Sequence, residues 1–145
     1  MIKFIAADQT LDLRSSGLRE GLERSLCGFD GDNDEGSFHV GYFKDDQLVC
    51  IASFHKRARE GFSGVGYQLR GMVTESSFQG KGIGNQLLNF SIVYLRGQKV
   101  NYIWCNARKI AYKFYQGIGF EFISEEFELP TIGPHRIMYL KISQA

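Results

Sequence analysis

Three glycines and a lysine lie within the six residues QGKGIG at positions 79–84. The segment before them, YQLRGMVT (67–74), has the composition of a strand. After them, apolar residues recur at the spacing of an amphipathic helix: Ile83, Leu87, Phe90 and Tyr94. The first amides of a helix attract anions, and glycine lets an anion approach the backbone closely. The pattern therefore predicts a phosphate-binding loop, to which Lys81 can add a charge-assisted contact.

Two common phosphate motifs do not fit this loop. A P-loop requires Gly-x-x-x-x-Gly-Lys-Ser/Thr, whereas Gly80-Lys81 is followed by Gly82, and the first glycine position holds Glu75. A dinucleotide fingerprint requires Gly-x-Gly-x-x-Gly, and its last position, counted from Gly80, is Asn85. We therefore expect neither a nucleoside triphosphate nor NAD. A tight turn without a ligand is the alternative interpretation of the glycines.

The composition limits the class of protein. The chain has 145 residues and a formal net charge of +1, which predicts one domain, 1–145, and no nucleic-acid partner. Cys27, Cys50 and Cys105 are widely spaced, as expected of reduced core thiols rather than of a zinc site, so no metal is predicted. Neither a leader-type nor a membrane-spanning apolar run is evident, and we expect no membrane association and a cytoplasmic location.

The first half of the chain predicts a helix among strands. The helix starts after Thr10 and runs to about Leu26, with a break expected near Gly17 and Gly21 because glycine weakens helices. The other predicted segments are a strand at 2–6, a polar loop at 28–36 and the two strands of an antiparallel hairpin at 38–43 and 48–54.

A βαβ unit is predicted for 67–105. The helix after the glycine loop ends near Gly97 and connects strand 67–74 to the nearly continuous apolar strand 100–105. Such a connection within one sheet makes the two strands parallel.

The last third predicts a helix and a strand pair. Asn106 is placed to cap a helix that ends at Gly117 or Gly119. The segments 120–129 and 135–142 are strand-like, are joined by PTIGP and are expected to pair antiparallel. All these elements together predict an α/β fold with a mixed, mostly antiparallel sheet.

Two segments resemble the GNAT N-acetyltransferase superfamily. QGKGIG fits the family signature Q/R-x-x-G-x-G/A. The family's N-A-R…A…FY…GF segment is matched by Asn106-Ala107-Arg108, Ala111, Phe114-Tyr115 and Gly119-Phe120. Three further segments resemble a bacterial-type subgroup whose substrates are mostly unassigned: LRGM (69–72), WCNAR (104–108) and ELPTIGPH (128–135). The order of the predicted elements matches across essentially the whole chain.

The resemblance implies a GNAT-like twisted sheet with flanking helices and acetyl-coenzyme A (acetyl-CoA) as cosubstrate. In the family, the amides of the glycine loop hold the pyrophosphate, and the preceding strand pairs with the pantetheine arm. The coenzyme-binding residues implied in this way are Met72, Val73, Gln79, Gly80, Lys81, Gly82, Ile83, Gly84, Asn85 and Asn106. Core packing of Met72 and Val73, and helix capping by Asn106, are the purely structural alternatives.

Acetyl transfer to an amine requires a deprotonated amine, a stabilised oxyanion and a proton for the departing thiolate. By resemblance, Tyr115 is the helix tyrosine near the coenzyme sulfur and acts as the general acid. A phenol with a pKa of about 10 is protonated at neutral pH and can supply a thiolate whose pKa is about 8.5. Tyr112, three residues earlier on roughly the same helix face, is the competing candidate.

The acceptor site is predicted from position in the family fold. Arg19 lies on the first helix, which borders the acceptor site, and could hold an acidic part of the acceptor, with a solvated helix face as the alternative. His135 lies near the acceptor cleft, and histidine is a residue type that can exchange protons near neutral pH; a purely structural histidine is the alternative. Glu75 is a candidate general base acting through water, with a solvated loop carboxylate as the alternative. Arg14 and the acidic loop 30–35 are either acceptor contacts or solvated surface.

The resulting hypothesis is an enzyme that acetylates the primary amine of a small molecule by direct transfer in a ternary complex. A protein N-terminus or lysine is the alternative acceptor. A non-catalytic acyl-CoA-binding module is the alternative from another functional class. Exposed sheet edges also allow a homodimer.

Overall fold

Eight strands and three α-helices are found in residues 1–130 and 132–143, the part of the chain that a computed structural model describes. The strands are β1 Ile2–Ile5, β2 Phe38–Lys44, β3 Gln47–Lys56, β4 Gly66–Thr74, β5 Tyr102–Arg108, β6 Glu121–Phe122, β7 Phe127–Leu129 and β8 Gly133–Lys141. The helices are α1 Leu11–Leu18, α2 Ile83–Gly97 and α3 Tyr112–Ile118.

The sheet has the strand order β1-β2-β3-β4-β5-β8-β6, with β7 paired to β8. β4 and β5 are parallel, and the pairs β1–β2, β2–β3, β5–β8, β6–β8 and β7–β8 are antiparallel. The predicted hairpin, the parallel βαβ unit and the mostly antiparallel sheet are thereby confirmed.

The residues fall into two compact units. The first contains Met1–Lys56 and Leu69–Ser91, and the second contains Arg57–Gln68 and the described residues from Ile92 onward. β4 and α2 contribute residues to both units. The prediction of a single domain stays a prediction.

In the first unit, α1 packs against the sheet through small and apolar residues. Leu13, Ile51 and Val73 are buried together in one cluster. A Cβ atom on Gly17 would lie 2.4 Å from Val73 Cγ1, so only glycine permits this approach of the helix. The β2–β3 hairpin turns through Asp45 and Asp46, whose φ angles of 49° and 66° are left-handed, as two-residue hairpin turns require.

The first helix is shorter than predicted. α1 ends at Leu18, not Leu26, because Glu20 and Gly21 adopt left-handed φ angles of 52° and 79°. The Gly21 amide donates to Ser15 O at 2.8 Å and closes the helix. The break expected near Gly21 is confirmed. The Thr10 hydroxyl donates back to Ala7 O and makes no side-chain cap.

In the second unit, β5 runs further than predicted. It continues to Arg108, so Asn106 lies inside the strand opposite Ile137 and is not a helix cap. A short 3-10 turn precedes α3. Gly119, one of the two glycines predicted to end this helix, follows its last residue and has a φ of 120°.

The C-terminal segment is also more broken than expected. The predicted strand 120–129 consists of the short strands β6 and β7, both paired antiparallel with β8. Thr131, in the predicted connection PTIGP, lies outside the described residues.

The three cysteines are buried and free, as predicted. Burial raises the pKa of Cys50 to about 11 and also raises the pKa of Cys105. None of the helices in the described part of the chain is long and apolar enough to cross a membrane.

Candidate active site

The end of β4 brings the first predicted coenzyme contacts into the first unit. Val73 is buried with Leu13 and Ile51, so its side chain serves the core, and Met72 is half-buried. Gly71, just before them, has a φ of 62° inside the strand. A glycine with positive φ inside a strand bends it locally, so Gly71 sets the direction in which the backbone of Met72 and Val73 continues.

Two side chains hold the start of the glycine loop. Glu75 accepts hydrogen bonds from the amide of Ser77 at 3.1 Å and from its hydroxyl. Gln79 Nε2 donates to Thr74 O at 3.0 Å, which links the loop to the last residue of β4. Glu75 is thus engaged as a cap for the turn that follows it, and its role as a general base stays a prediction.

The loop itself is exposed and left-handed. Gly80 and Gly82 have φ angles of 75° and 78°, and a Cβ atom on either would meet nothing within 4 Å. Lys81 lies between them, exposed, with Nζ 5.4 Å from the centroid of the Phe78 ring. The backbone on both sides of Lys81 is therefore open to a ligand.

Helix α2 begins directly after this loop. Ile83 is buried and anchors the first turn, whereas Asn85 is exposed. The amide of Gln86 donates to Gly82 O at 3.1 Å. The amides at 83–85, in the first turn of the helix, have no carbonyl partner within it. The helix start and the glycines before it thus have the chemistry of an anion site.

The second unit holds three other predicted residues. Asn106 is exposed on β5. Tyr115 on α3 is 7% exposed, with its ring 5.1 Å from that of Phe114 and 5.3 Å from that of Phe120. His135 on β8 is 4% exposed, with Nδ1 2.9 Å from Gly133 O.

Tyr112, the competing tyrosine, has a different environment from Tyr115. Its hydroxyl donates to Glu126 Oε1 at 3.2 Å, and its ring lies edge-on to Phe122. Desolvation and the interaction with Glu126 raise the pKa of Tyr112. The Tyr112 hydroxyl is thus engaged in a hydrogen bond to a carboxylate, and which of the two tyrosines is the general acid stays a prediction.

Arg19 lies exposed at the C-terminal end of α1 in the first unit. The structure thus places Met72, Val73, the glycine loop and Arg19 in the first unit, and Asn106, Tyr115 and His135 in the second.

A buried ionic network in the first unit was not predicted. Arg14 is fully buried, and its Nη1 and Nη2 atoms lie 2.7 and 3.0 Å from the two carboxylate oxygens of Asp32. The same guanidinium donates to Ser53 Oγ at 2.8 Å and to Cys27 O at 3.2 Å. Arg14 and Asp32 are therefore neither solvated surface nor free to bind an acceptor, which corrects both interpretations of these residues.

Two histidines extend the network. His55 Nε2 lies 3.0 Å from Asp32 Oδ1. His39 lies between Ser53 Oγ, 2.7 Å from Nδ1, and the backbone oxygen of Asp32, 2.9 Å from Nε2. The network thereby ties α1 and the loop that carries Asp32 to strands β2 and β3.

The sequence did contain a signal for Arg14. It follows Leu11 by three residues and precedes Leu18 by four, so it occupies the apolar face of the helix. A charged residue on such a face needs a buried partner. The partner itself lies in a loop eighteen residues away, and helical periodicity carries no information about it.

The network predicts an acid dependence of stability. Burial alone raises the pKa of Asp32, but hydrogen bonds from Arg14, the Phe29 amide and His55 outweigh burial and lower it. The lowered pKa stabilises the folded protein at pH values above the ordinary aspartate pKa of about 3.9. This stabilisation is lost as the pH falls from about 3.9 through the lowered pKa of the folded state. When denaturant unfolding is measured at decreasing pH, we expect the free energy of unfolding to fall more steeply for the parent than for Asp32→Asn. Asp12→Asn, at an exposed aspartate, is the control and should follow the parent. Equal slopes for parent and Asp32→Asn would contradict the prediction.

Comparison with known proteins assigns the family. Residues 25–132 match the family described as "Acetyltransferase (GNAT) domain". The chain belongs to the GNAT acetyltransferases. The uncharacterized N-acetyltransferase YitI of Bacillus subtilis (strain 168) is 33% identical over 139 residues, which cover 95% of this chain and 93% of that protein. The protein is therefore an acyltransferase enzyme, of a family that uses acetyl-CoA.

Solved structures confirm the GNAT fold. An aminoglycoside 6′-N-acetyltransferase complexed with coenzyme A is 17% identical, with a TM-score of 0.73 and coverage of 100% of this chain and 98% of that one. The ribosomal-protein-S18-alanine N-acetyltransferase from Escherichia coli is 17% identical, with a TM-score of 0.76 and coverage of 100% and 95%. At these identities the likeness shows the GNAT fold alone.

Proposed function

We propose that this GNAT enzyme transfers the acetyl group of acetyl-CoA to the primary amine of a small molecule, directly, in a ternary complex. The observation that carries the proposal is the open glycine loop at the start of α2. Gly80 and Gly82 adopt left-handed conformations with free space around them, and the first helical amides follow. This arrangement suits a pyrophosphate, whose negative charge helix amides and Lys81 stabilise.

The residues present fit the coenzyme. Gln79 to Asn85 would hold its phosphates, the backbone of Met72 and Val73 would pair with its pantetheine arm, and Asn106, exposed on β5, would contact that arm. When bound, acetyl-CoA supplies an activated thioester. The chain's own contribution is to fix this group and to move protons.

Tyr115 is the proposed general acid. Its buried ring, packed between Phe114 and Phe120, holds the phenol in a fixed direction. The Tyr115 hydroxyl would give its proton to the coenzyme sulfur as the carbon–sulfur bond breaks, and the phenolate would then regain a proton from solvent. His135 and Arg19 are proposed as acceptor contacts. The aminoglycoside enzyme is named for a small-molecule acceptor and the S18-alanine enzyme for a protein acceptor. Assays of this enzyme with small amines and with peptides therefore decide which class of acceptor it uses.

The coenzyme site is tested by thermal unfolding with and without acetyl-CoA. At about 100 times its dissociation constant, the coenzyme should stabilise the parent by roughly 2.7 kcal/mol. In Gly82→Ala, the Cβ atom occupies the space meant for the ligand and the left-handed backbone is strained, so we expect this stabilisation to be lost.

Gly21→Ala is the matched control. Gly21 has a φ of 79°, against 78° for Gly82, and a Cβ atom there also meets nothing within 4 Å. Both variants therefore carry the same backbone strain, and Gly21→Ala should keep the full coenzyme effect. Equal loss in both variants, or no stabilisation of the parent, would contradict the assigned coenzyme site.

A further inference from the structure

The only tryptophan of the chain is held in a fixed orientation within the second unit. Trp104 is half-buried on β5, and its Nε1 donates to the backbone oxygen of Arg57 at 3.0 Å. Its strand neighbours on either side, Ile103 and Cys105, are buried on the other face of the sheet. Trp104 therefore presents a fixed, partly exposed aromatic face.

Arg59 lies over this face. Its guanidinium carbon is 5.2 Å from the centroid of the Trp104 ring, and its backbone amide donates to Tyr102 Oη at 2.7 Å. Within the described parts of the chain, the Arg59 guanidinium forms no salt bridge and no hydrogen bond, and the adjacent Glu60 is exposed and does not pair with it. Arg59 is thus a half-buried cation that lies over an aromatic ring and has no counter-charge among residues 1–130 and 132–143.

The surroundings of this pair are aromatic. Tyr139 lies directly opposite Trp104 in the β5–β8 register, and Phe62 stacks on Tyr139 with centroids 4.6 Å apart. Residues opposite one another, and alternate residues along a strand, share a face. Trp104, Tyr139 and Asn106 therefore lie on one face, with Asn106 roughly 7 Å along β5 from Trp104.

We infer that Arg59 and Trp104 recognise an anionic group, a carboxylate or a phosphate, carried by the amine that the enzyme acetylates. The inference rests on the proposed function, in which Asn106 contacts the coenzyme arm on this same face. A guanidinium stacked on an aromatic ring keeps its N–H edges free, and that planar fork matches the oxygens of carboxylate and phosphate. The acceptor class is thereby narrowed to small amines that also bear a negative charge.

The test measures thiol release with amines that differ only in this charge. β-Alanine and γ-aminobutyrate are compared with their carboxamides, and phosphoethanolamine with ethanolamine. We expect kcat/KM for at least one anionic amine to exceed that for its neutral counterpart by about tenfold or more, because hydrogen bonds to charged groups are stronger than those to neutral groups. The carboxylate and phosphate arms show which anion is preferred.

Variants assign the preference to Arg59. Arg59→Gln should abolish it by raising KM for the anionic amine with kcat little changed, as expected when a binding contact is removed. Arg59→Lys keeps the charge without the fork and should retain part of the preference. Lys113→Gln removes one positive charge from an exposed position on α3 of the same unit and should change nothing.

Trp104 supplies a readout that does not need turnover. Its fluorescence should change on titration with the preferred anionic amine in the presence of coenzyme A, and not in Arg59→Gln. Equal rates for anionic and neutral amines, or a preference that persists in Arg59→Gln, overturn the inference. So does the absence of both turnover and an emission change with every anionic probe. If coenzyme binding is intact in these cases, only this inference fails; if the parent does not bind acetyl-CoA, the proposed function fails with it.

Discussion

Arg14→Met is expected to lower the free energy of unfolding by about 3–5 kcal/mol, because it leaves the buried carboxylate of Asp32 without its counter-charge. Both side chains are almost fully buried, with 0% and 6% exposed. The lost guanidinium also leaves Ser53 Oγ and Cys27 O without the hydrogen bonds that it donates. Urea unfolding of the folded variant, followed by circular dichroism, gives the difference directly.

An exposed ion pair in the same unit provides the control. Arg24 Nε lies 2.8 Å from Asp12 Oδ1, but the two side chains are 52% and 80% exposed. Such pairs contribute about 0–1 kcal/mol, so Arg24→Met should change the stability little. In Arg14→Met/Asp32→Asn no carboxylate is left buried alone, and part of the loss should be recovered. Equal effects of Arg14→Met and Arg24→Met would show that burial does not govern the Arg14–Asp32 pair.

Tyr115→Phe is expected to reduce kcat by about 10²–10⁴-fold, the usual contribution of a positioned proton donor. Phenylalanine keeps the ring that packs on Phe114 and Phe120 and removes only the hydroxyl. Stabilisation by acetyl-CoA should therefore be retained while amine-dependent thiol release falls. Steady-state kinetics and thermal unfolding with coenzyme measure the two quantities separately.

Tyr112→Phe is the matched control on the same helix. Its hydroxyl is engaged with Glu126, so removing it should leave kcat within a few-fold of the parent. If Tyr112→Phe is the slower variant, the roles of the two tyrosines are exchanged. If neither substitution slows the reaction, the departing thiolate receives its proton from another source.

The features predicted correctly from the sequence have local causes. The βαβ unit follows from the apolar spacing of Ile83 and Leu87 between two strand-like segments, and the end of α3 follows from Gly119, which adopts the positive φ that a side chain resists. The glycine loop combines both kinds of signal. For these elements, neighbouring residues in the chain are sufficient to determine the structure.

The features that were missed depend on partners distant in sequence. Whether Asn106 caps a helix or continues β5 is decided by β8, which pairs with it from some thirty residues away. The loop at 30–35 looks acidic and solvated because nothing in its own sequence identifies Asp32 as the partner of Arg14. Gly71 did carry a local signal, since glycine inside a strand indicates a bend.

The burial of the three thiols has a practical consequence for studying this enzyme. A thiol reagent that reports released coenzyme meets no exposed cysteine of the folded chain, so the protein adds little background to such an assay. Conversely, slow alkylation of a buried cysteine would report transient local opening of the structure around it. Cys27 and Cys50 lie in the first unit and Cys105 in the second, so mass spectrometry of the labelled peptides can time the opening of each unit separately.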